Sequence, residues 1–409
     1  MSDNIPRTPG TGGHPDFSLG ARVPEEIGPG VYATGGFGNS GWVITDEGVV
    51  VIDTGLGPGP GKQIRDAIAT TSDRPIAAVI YTHGHHDHVL GTPSFVEGGT
   101  RVIAHDNVAG RFDRYKLTRD YINLINGIQF GFDLTGRTYE YVYPTEPYAR
   151  DYRLELSGRA IEVFHGKGET DDASIVHVPD CGAVFAGDFL IGSFPNIGNP
   201  YKVIRYEREW FEALERVRAL NPQAIMPGHG QIWRAGREMD QMLDDTIAVM
   251  RFLHVETVRQ INAGASVEEA VERIRLPENL EQSPYLAQTY SRVEFAVTNI
   301  YRRYCGWFDF NPAHLLRVPR REMAAGVADL RRDDQKIIQR ARELHEDRLH
   351  QQALELLDLI LLRHEDDREG RELRASILEA LANSDRCLMS RDAYLHYLQK
   401  DRELLAAQT

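Results

Sequence analysis

Between Thr82 and the end of the next turn the chain places four histidines and an aspartate within six residues, His83-Gly84-His85-His86-Asp87-His88. Neutral imidazole and carboxylate are the donors that a borderline divalent ion such as zinc prefers. His83 and His85, two apart in an extended loop, can face the same side, which leaves Asp87 and His88 to turn towards a second ion. The run follows the apolar stretch Ile76-Ala77-Ala78-Val79-Ile80, which reads as a buried strand. The donors therefore emerge at a strand's carboxyl end, where α/β folds carry their chemistry.

Three further stretches repeat this design. Glu169, in Gly166-Lys167-Gly168-Glu169-Thr170-Asp171-Asp172, lies between the apolar strands Ala160–Phe164 and Ile175–Val178 and could complete the shell of the first ion. Asp171 and Asp172 compete with it for that role, or act as turn and helix caps. Asp188, after Phe185-Ala186-Gly187, offers two oxygens and could bridge two cations. His229, in Pro227-Gly228-His229-Gly230, again sits on a tight glycine loop at a strand end. The count assigns His83, His85 and Glu169 to one ion, Asp87, His88 and His229 to another, and Asp188 to both, with Asp87 and Asp188 as the carboxylates at the reacting centre. Asp53, closing the strand Val49–Ile52, is expected to hydrogen-bond the histidine loop and fix its orientation. His177, in an alternating strand, reads as packed rather than ligating.

The elements that must position these groups fall in a clear order. After a Gly/Pro-rich arm over residues 1–28, short strands at 31–34, 41–45 and 49–53, a helix around 62–70 and the strand before the histidine loop describe an α/β sandwich catalytic domain over 29–240. Residues 106–150 show no clean period but are rich in aromatics, which suit either a substrate pocket or core packing. From Met239 the pattern turns helical, giving a helical region over 241–332, with an aromatic helical run from Tyr285 to Tyr304, and further helices over 333–409. There His345–Leu361 and Glu372–Leu381 suggest a helical hairpin. A formal charge of −14 argues against nucleic acid or an anionic membrane as the partner. The absence of a signal peptide or a long apolar run suits a cytoplasmic protein without membrane insertion, and Cys181, Cys305 and Cys387 read as reduced and buried.

Thr82-His83-Gly84-His85-His86-Asp87-His88, with Asp53-Thr54-Gly55 before it and Ala186-Gly187-Asp188 and Pro227-Gly228-His229 after it, resembles the metallo-β-lactamase superfamily. Glutamate at Glu169, where most of that superfamily has histidine, is similar to the alkyl sulfatase branch. Asn299-Ile300-Tyr301-Arg302-Arg303-Tyr304-Cys305-Gly306-Trp307-Phe308-Asp309-Phe310-Asn311-Pro312 resembles the start of that branch's dimerisation region, and the helices beyond Asp333 resemble its tetratricopeptide-like continuation. The resemblance implies an αββα sandwich followed by an all-α dimerisation region, a homodimer, two zinc ions per subunit and cleavage of sulfate esters. The branch's sulfate-holding arginine follows the bridging carboxylate. Here that stretch is Asn196-Ile197-Gly198-Asn199-Pro200-Tyr201-Lys202-Val203-Ile204-Arg205, so Asn196, Tyr201, Lys202 and Arg205 are the candidate contacts for an anionic small-molecule substrate.

The expected chemistry is hydrolysis by a metal-bound hydroxide at a dinuclear centre, on a sulfate ester. The same centre could serve a lactone, thioester, β-lactam or phosphoester. A carboxylate-rich site also suits iron or manganese, so a di-iron redox protein is the alternative of another class.

Overall fold

The computed structural model describes residues 23–309, 311–331 and 334–408. Most of the Gly/Pro-rich arm lies outside these residues. Its last part does not behave as an arm, because Glu25–Gly28 pairs as a strand.

Two sheets are built from the strands of residues 25–234. The first has β1 (Glu25–Gly28), β2 (Val31–Thr34), β3 (Ser40–Thr45), β4 (Gly48–Ile52), β5 (Ile76–Ile80), β6 (Arg101–His105) and β7 (Glu146–Tyr148), neighbours in that order. The first four run antiparallel as a meander, and β4 to β7 run parallel. The second has β8 (Asp151–Leu156), β9 (Arg159–His165), β10 (Ser174–Val178), β11 (Ala183–Gly187), β12 (Ala224–Pro227) and β13 (Trp233–Arg234), with β11 and β12 its parallel pair.

The strands are apolar on both faces because both faces are covered. Along β4, Val50 and Ile52 enter the core between the sheets, where they share a cluster with Val163, Val176, Phe185 and Met226. Val49 and Val51 point the other way, onto Ile64 and Ile68 of α1 (Pro58–Ala69) and, beyond a short turn α2 (His86–Val89), onto Val108 and Phe112 of α3 (Asn107–Leu117). The second sheet's outer residues, Ile175, Val184 and Ile225, pack against Trp210, Leu214 and Val217. Those three belong to the helix that follows α4 (Arg119–Phe130), namely α5 (Glu207–Ala219), the crossover from β11 to β12. The order helix, sheet, sheet, helix is the expected αββα sandwich.

Helical residues beyond 240 join this same core. Met242, Leu243 and Met250 of α6 (Arg237–Asn262) enter the cluster of Trp210 and Ile225. After α7 (Val267–Arg273) and α8 (Glu278–Glu281), Val297 and Ile300 of α9 (Val293–Tyr304) enter it too. The compact unit that holds the sandwich accordingly runs through Cys305, beyond the boundary expected at 240. The aromatic run from Tyr285 is helical only from Val293, since Val293 N–H is taken by the Gln288 side chain and Arg292 is extended. Residues 106–150, read as aperiodic, contain α3 and α4; glycines and charged residues dilute their apolar stripes.

A second unit comprises Leu124–Leu134 and the described residues from Gly306 on. It carries α10 (Arg320–Arg331), α11 (Asp334–Glu346), α12 (His350–Leu361), α13 (Arg368–Ser384) and α14 (Leu388–Ala406). Ile338, Ala341, Leu357, Ile360 and Ile377 form its core, and Arg371 and Arg374 both pair with the buried Asp401 of α14. The single helix expected over His345–Leu361 breaks at Asp347–Leu349, where Arg348 adopts a left-handed φ of 62°. All three cysteines are free thiols; Cys387 is buried, whereas Cys181 and Cys305 are half-buried, which corrects their expected full burial.

Because Ile300 is fully buried in the core that α9 shares with the second sheet, Ile300→Ala is expected to destabilise the unit that holds the sandwich by about 2–5 kcal/mol, read by denaturant unfolding.

Candidate metal centre

Every candidate donor leaves a strand end on one edge of the sandwich. β5 delivers His83 to His88, the β9–β10 connection delivers Glu169, β11 ends at Asp188 and β12 at His229. The loops are tied by backbone hydrogen bonds that leave little freedom. Ser174 N–H donates to Thr82 O (2.7 Å), Thr54 N–H to His88 O (2.7 Å) and Gly228 N–H to Gly187 O (2.7 Å). Glycine is required at two of these contacts. A Cβ on Gly228 would lie 2.0 Å from Asp188 Oδ1, and one on Gly187, whose φ is 51°, would lie 2.6 Å from Thr82 Oγ1.

Asp188 sits between two sets of imidazoles. Its Oδ2 is 3.4 Å from His83 Nε2 and 3.7 Å from His85 Nδ1. Its Oδ1 is 3.2 Å from His88 Nε2 and 3.3 Å from His229 Nε2, and Asp87 Oδ2 lies 3.5 and 3.2 Å from those same nitrogens. A ligand atom of Glu169 joins those of His85 and Asp188 within 4.8 Å. All seven residues singled out in the sequence thus converge, three of them carboxylates.

The electrostatics suit a cation. Burial opposes charge throughout, yet the imidazoles of His88 and His229 hold Asp87 well below the usual carboxylate range, and His229, His88 and His83 do the same for Asp188. Both are anions at neutral pH. His229 is pushed up to about 10 despite its burial by Asp188 and Asp87, and His85 is lowered by burial and by His83. His88 Nε2 and Asp188 Oδ1 are buried, face each other and have no hydrogen-bond partner, a costly arrangement in which a shared cation would satisfy both. The donor set fits divalent metal.

A layer of hydrogen bonds aims the ligands. The buried Asp53, at a left-handed φ of 57°, accepts from Thr82 N–H (2.8 Å) and Thr82 Oγ1 (2.7 Å) and meets His88 Nδ1 at 2.9 Å. His229 Nδ1 meets Phe37 O at 2.5 Å. Asn39, which nothing in the sequence marked, donates from Nδ2 to Pro227 O (2.9 Å) and Gly230 O (3.0 Å) and so braces the His229 loop. Asp172 is not among the ligands; its Oδ2 accepts from Gly84 N–H (3.2 Å) and Arg111 Nε (2.6 Å). Asp171 also pairs with Arg111, which was likewise missed because its partners lie some sixty positions away. His177 is packed against Glu162.

Beside the donors, Asn196 and Arg205 are buried and both touch Glu169, Asn196 through Nδ2 and Arg205 through Nη1. Lys202 lies near Asp87, and desolvation lowers its ammonium to about 8 against that attraction. The Tyr201 backbone donates N–H to Asn199 Oδ1 (2.9 Å) and accepts from Tyr121 Oη (3.1 Å). The aromatic stretch contributes a wall: His86 packs on Tyr139 and Tyr115 at ring distances of 4.4 and 4.9 Å and meets Tyr141 Oη at 2.7 Å.

With this geometry in view, residues 33–229 match the metallo-beta-lactamase superfamily and residues 266–403 match the alkyl sulfatase dimerisation family. The chain is therefore a metallo-β-lactamase domain joined to an alkyl sulfatase dimerisation domain. It is similar to a linear primary-alkylsulfatase of Pseudomonas sp. (strain ATCC 19151), 25% identical over 377 residues, covering 85% of this chain and 71% of that one. An alkyl/aryl-sulfatase, BDS1, of Saccharomyces cerevisiae is 21% identical over 357 residues, covering 79% of this chain and 54% of its own. The fold matches that of the stereoselective inverting sec-alkylsulfatase Pisa1 from Pseudomonas sp., with a TM-score of 0.85 at 19% identity over 95% of this chain and 66% of that one. The chain thus spans between about half and about 70% of these relatives. Among the described residues, no helix is long and apolar enough to cross a membrane.

Since Asp53 holds the histidine loop through three contacts, Asp53→Ala is expected to weaken metal retention about 10–100-fold, measured by competition with a chelator.

Proposed function

We propose that the protein is a metal-dependent hydrolase of sulfate esters, acting on an alkyl sulfate. Two divalent ions, zinc the expected species, would be held by His83, His85 and Glu169 on one side and by Asp87, His88 and His229 on the other, with Asp188 shared. The observation that carries this reading is the disposition of Asp188, whose two oxygens face the two sets of imidazoles. Bound there, the ions supply a water acidic enough to act as nucleophile at neutral pH and draw negative charge from the ester.

The chain's own groups do the rest. Asp53 and the Phe37 carbonyl fix how His88 and His229 present their rings. Asp87, anionic beside His88 and His229, is placed to accept a hydrogen bond from the attacking water. Arg205 and Lys202 supply positive charge for the sulfate group, Arg205 with a planar fork suited to sulfate oxygens and Lys202 as a point charge. Asn196 and Tyr201 are the remaining substrate contacts in this reading, and the His86, Tyr115 and Tyr139 wall excludes water from one side. The names of the matched alkylsulfatases support the substrate class. The dimerisation match supports a homodimer, as do the exposed apolar side chains Trp307, Leu315, Leu316, Val318 and Met323.

Elemental analysis of the purified protein and sulfate release from a medium-chain alkyl sulfate test the proposal. Two zinc ions per subunit with sulfate release are expected. Two ions without release on any alkyl sulfate would sink the sulfate reading and turn the search to carboxylic and phosphate esters, whereas redox-active iron would favour the redox alternative. Asp188→Asn is expected to abolish turnover and lose about one ion per subunit, with the dimer intact by size-exclusion chromatography.

A further inference from the structure

The connection from β11 to α5 passes Asn196 and Arg205 across the site, yet much of its backbone is held by residues 287–299 rather than by the strands. Phe194 N–H donates to Ala287 O (3.1 Å) and Ser291 Oγ to Gly198 O (2.9 Å). Gly198 presses so closely on α9 that a Cβ there would lie 1.8 Å from Phe295 O. At the far end, Asn299 uses both ends of its amide on one residue: Oδ1 accepts from Arg205 N–H (3.1 Å) and Nδ2 donates to Arg205 O (3.3 Å). The next residue, Tyr206, donates its N–H to Gly168 O (3.1 Å), beside Glu169. Arg205 is thereby pinned on both sides of its Cα, and its buried guanidinium reaches Glu169.

A side-chain amide that pairs with both backbone groups of one residue acts like a short piece of neighbouring strand and fixes the direction in which that residue's side chain leaves. Asn299 is itself buried on α9, so its own position is set by the core around Val297 and Ile300. A purely structural amide could have capped any open backbone group. This one is spent on the residue whose charge the proposed reaction uses.

We propose that Asn299 is a positioning residue for Arg205, so that the segment matching the alkyl sulfatase dimerisation family takes part in the active site by aiming the sulfate-binding arginine. The proposal rests on the sulfate-ester reading above. It also gives a reason for asparagine at the head of the Asn299–Pro312 motif, which the dimer alone does not.

The test uses the metal-loaded full-length chain as wild type, Asn299→Ala, Asn299→Asp, Arg205→Ala and the Asn299→Ala, Arg205→Ala double variant. The readouts are kcat and KM on a medium-chain alkyl sulfate, Kd for inorganic sulfate, metal content and thermal midpoint. Asn299→Ala is expected to raise KM and the sulfate Kd about ten-fold while kcat changes less and metal content stays at the wild-type level. Asn299→Asp, which keeps the acceptor for Arg205 N–H, should recover part of the loss, and it carries the comparison if the alanine variant does not accumulate folded. In the Arg205→Ala background, removing Asn299 should have no further effect on either constant. Wild-type KM and sulfate Kd in both Asn299 variants, an undiminished effect once Arg205 is gone, or loss of metal with KM unchanged would each overturn the positioning role. Wild-type protein that binds inorganic sulfate but hydrolyses no alkyl sulfate would instead overturn the sulfate-ester reading, and the sulfate Kd of the variants would still decide the role of Asn299.

Discussion

The organisation of this molecule depends on the carboxylate of Asp188, held with almost no solvent between two pairs of imidazoles. Burying an anion is costly unless positive charge or hydrogen-bond donors surround it, and here the surrounding groups come from distant parts of the chain. Four strand ends must reach one place for that to happen. The close approach leaves no room for side chains at Gly187 and Gly228, and the backbone bonds between Gly187 and Gly228, Thr82 and Ser174, and Thr54 and His88 lock the loops together. Asp188 Oδ1 and His88 Nε2 face each other without a hydrogen-bond partner, an arrangement that a shared cation would satisfy.

Around that centre lies a layer of residues that hydrogen-bond the loops carrying the donors. Asp53 adopts a backbone conformation unfavourable to most residues in order to reach Thr82 and His88, a local strain that the surrounding strands hold in place. Arg111 and Asp172 brace the histidine loop from outside, and Asn39 braces the loop of His229. Asp53, Asp172 and Asn39 each reach the loop they steady through a buried hydrogen bond, Asp172 through Oδ2 alone. Preorganisation of this kind lets a centre keep its geometry when an ion or substrate arrives.

The helical residues through α9 belong to the same body as the sandwich. Met250, Val297 and Ile300 share a core with Trp210 and Ile225, and the loop carrying Arg205 is clasped between the second sheet and α9. The part of the dimerisation-family match that runs through Cys305 thus packs into the body of the sandwich. The helices beyond Gly306 have their own core and their own buried ion pairs to Asp401.

Much of the centre was legible in the chain. Types and spacing at His83, His85, Asp87 and His88 are informative because a loop after a buried strand can present such donors together, and the glycines beside Asp188 and His229 mark tight turns at strand ends. The continuous apolar strands announced a sheet covered on both faces. What the chain alone left open follows from contacts between distant positions. The helices α3 and α4 were hidden because their apolar positions are diluted by glycine and charge, and the roles of Asn39, Arg111, Asp172 and Asn299 depend on partners far away in sequence. Local pattern determined which residues are candidate donors, because ligand type and turn type are properties of short segments. Tertiary structure decided that Asp188 lies between two sets of histidines and that Arg205, buried against Glu169, is aimed from α9, because such arrangements exist only once separate strands and helices have packed.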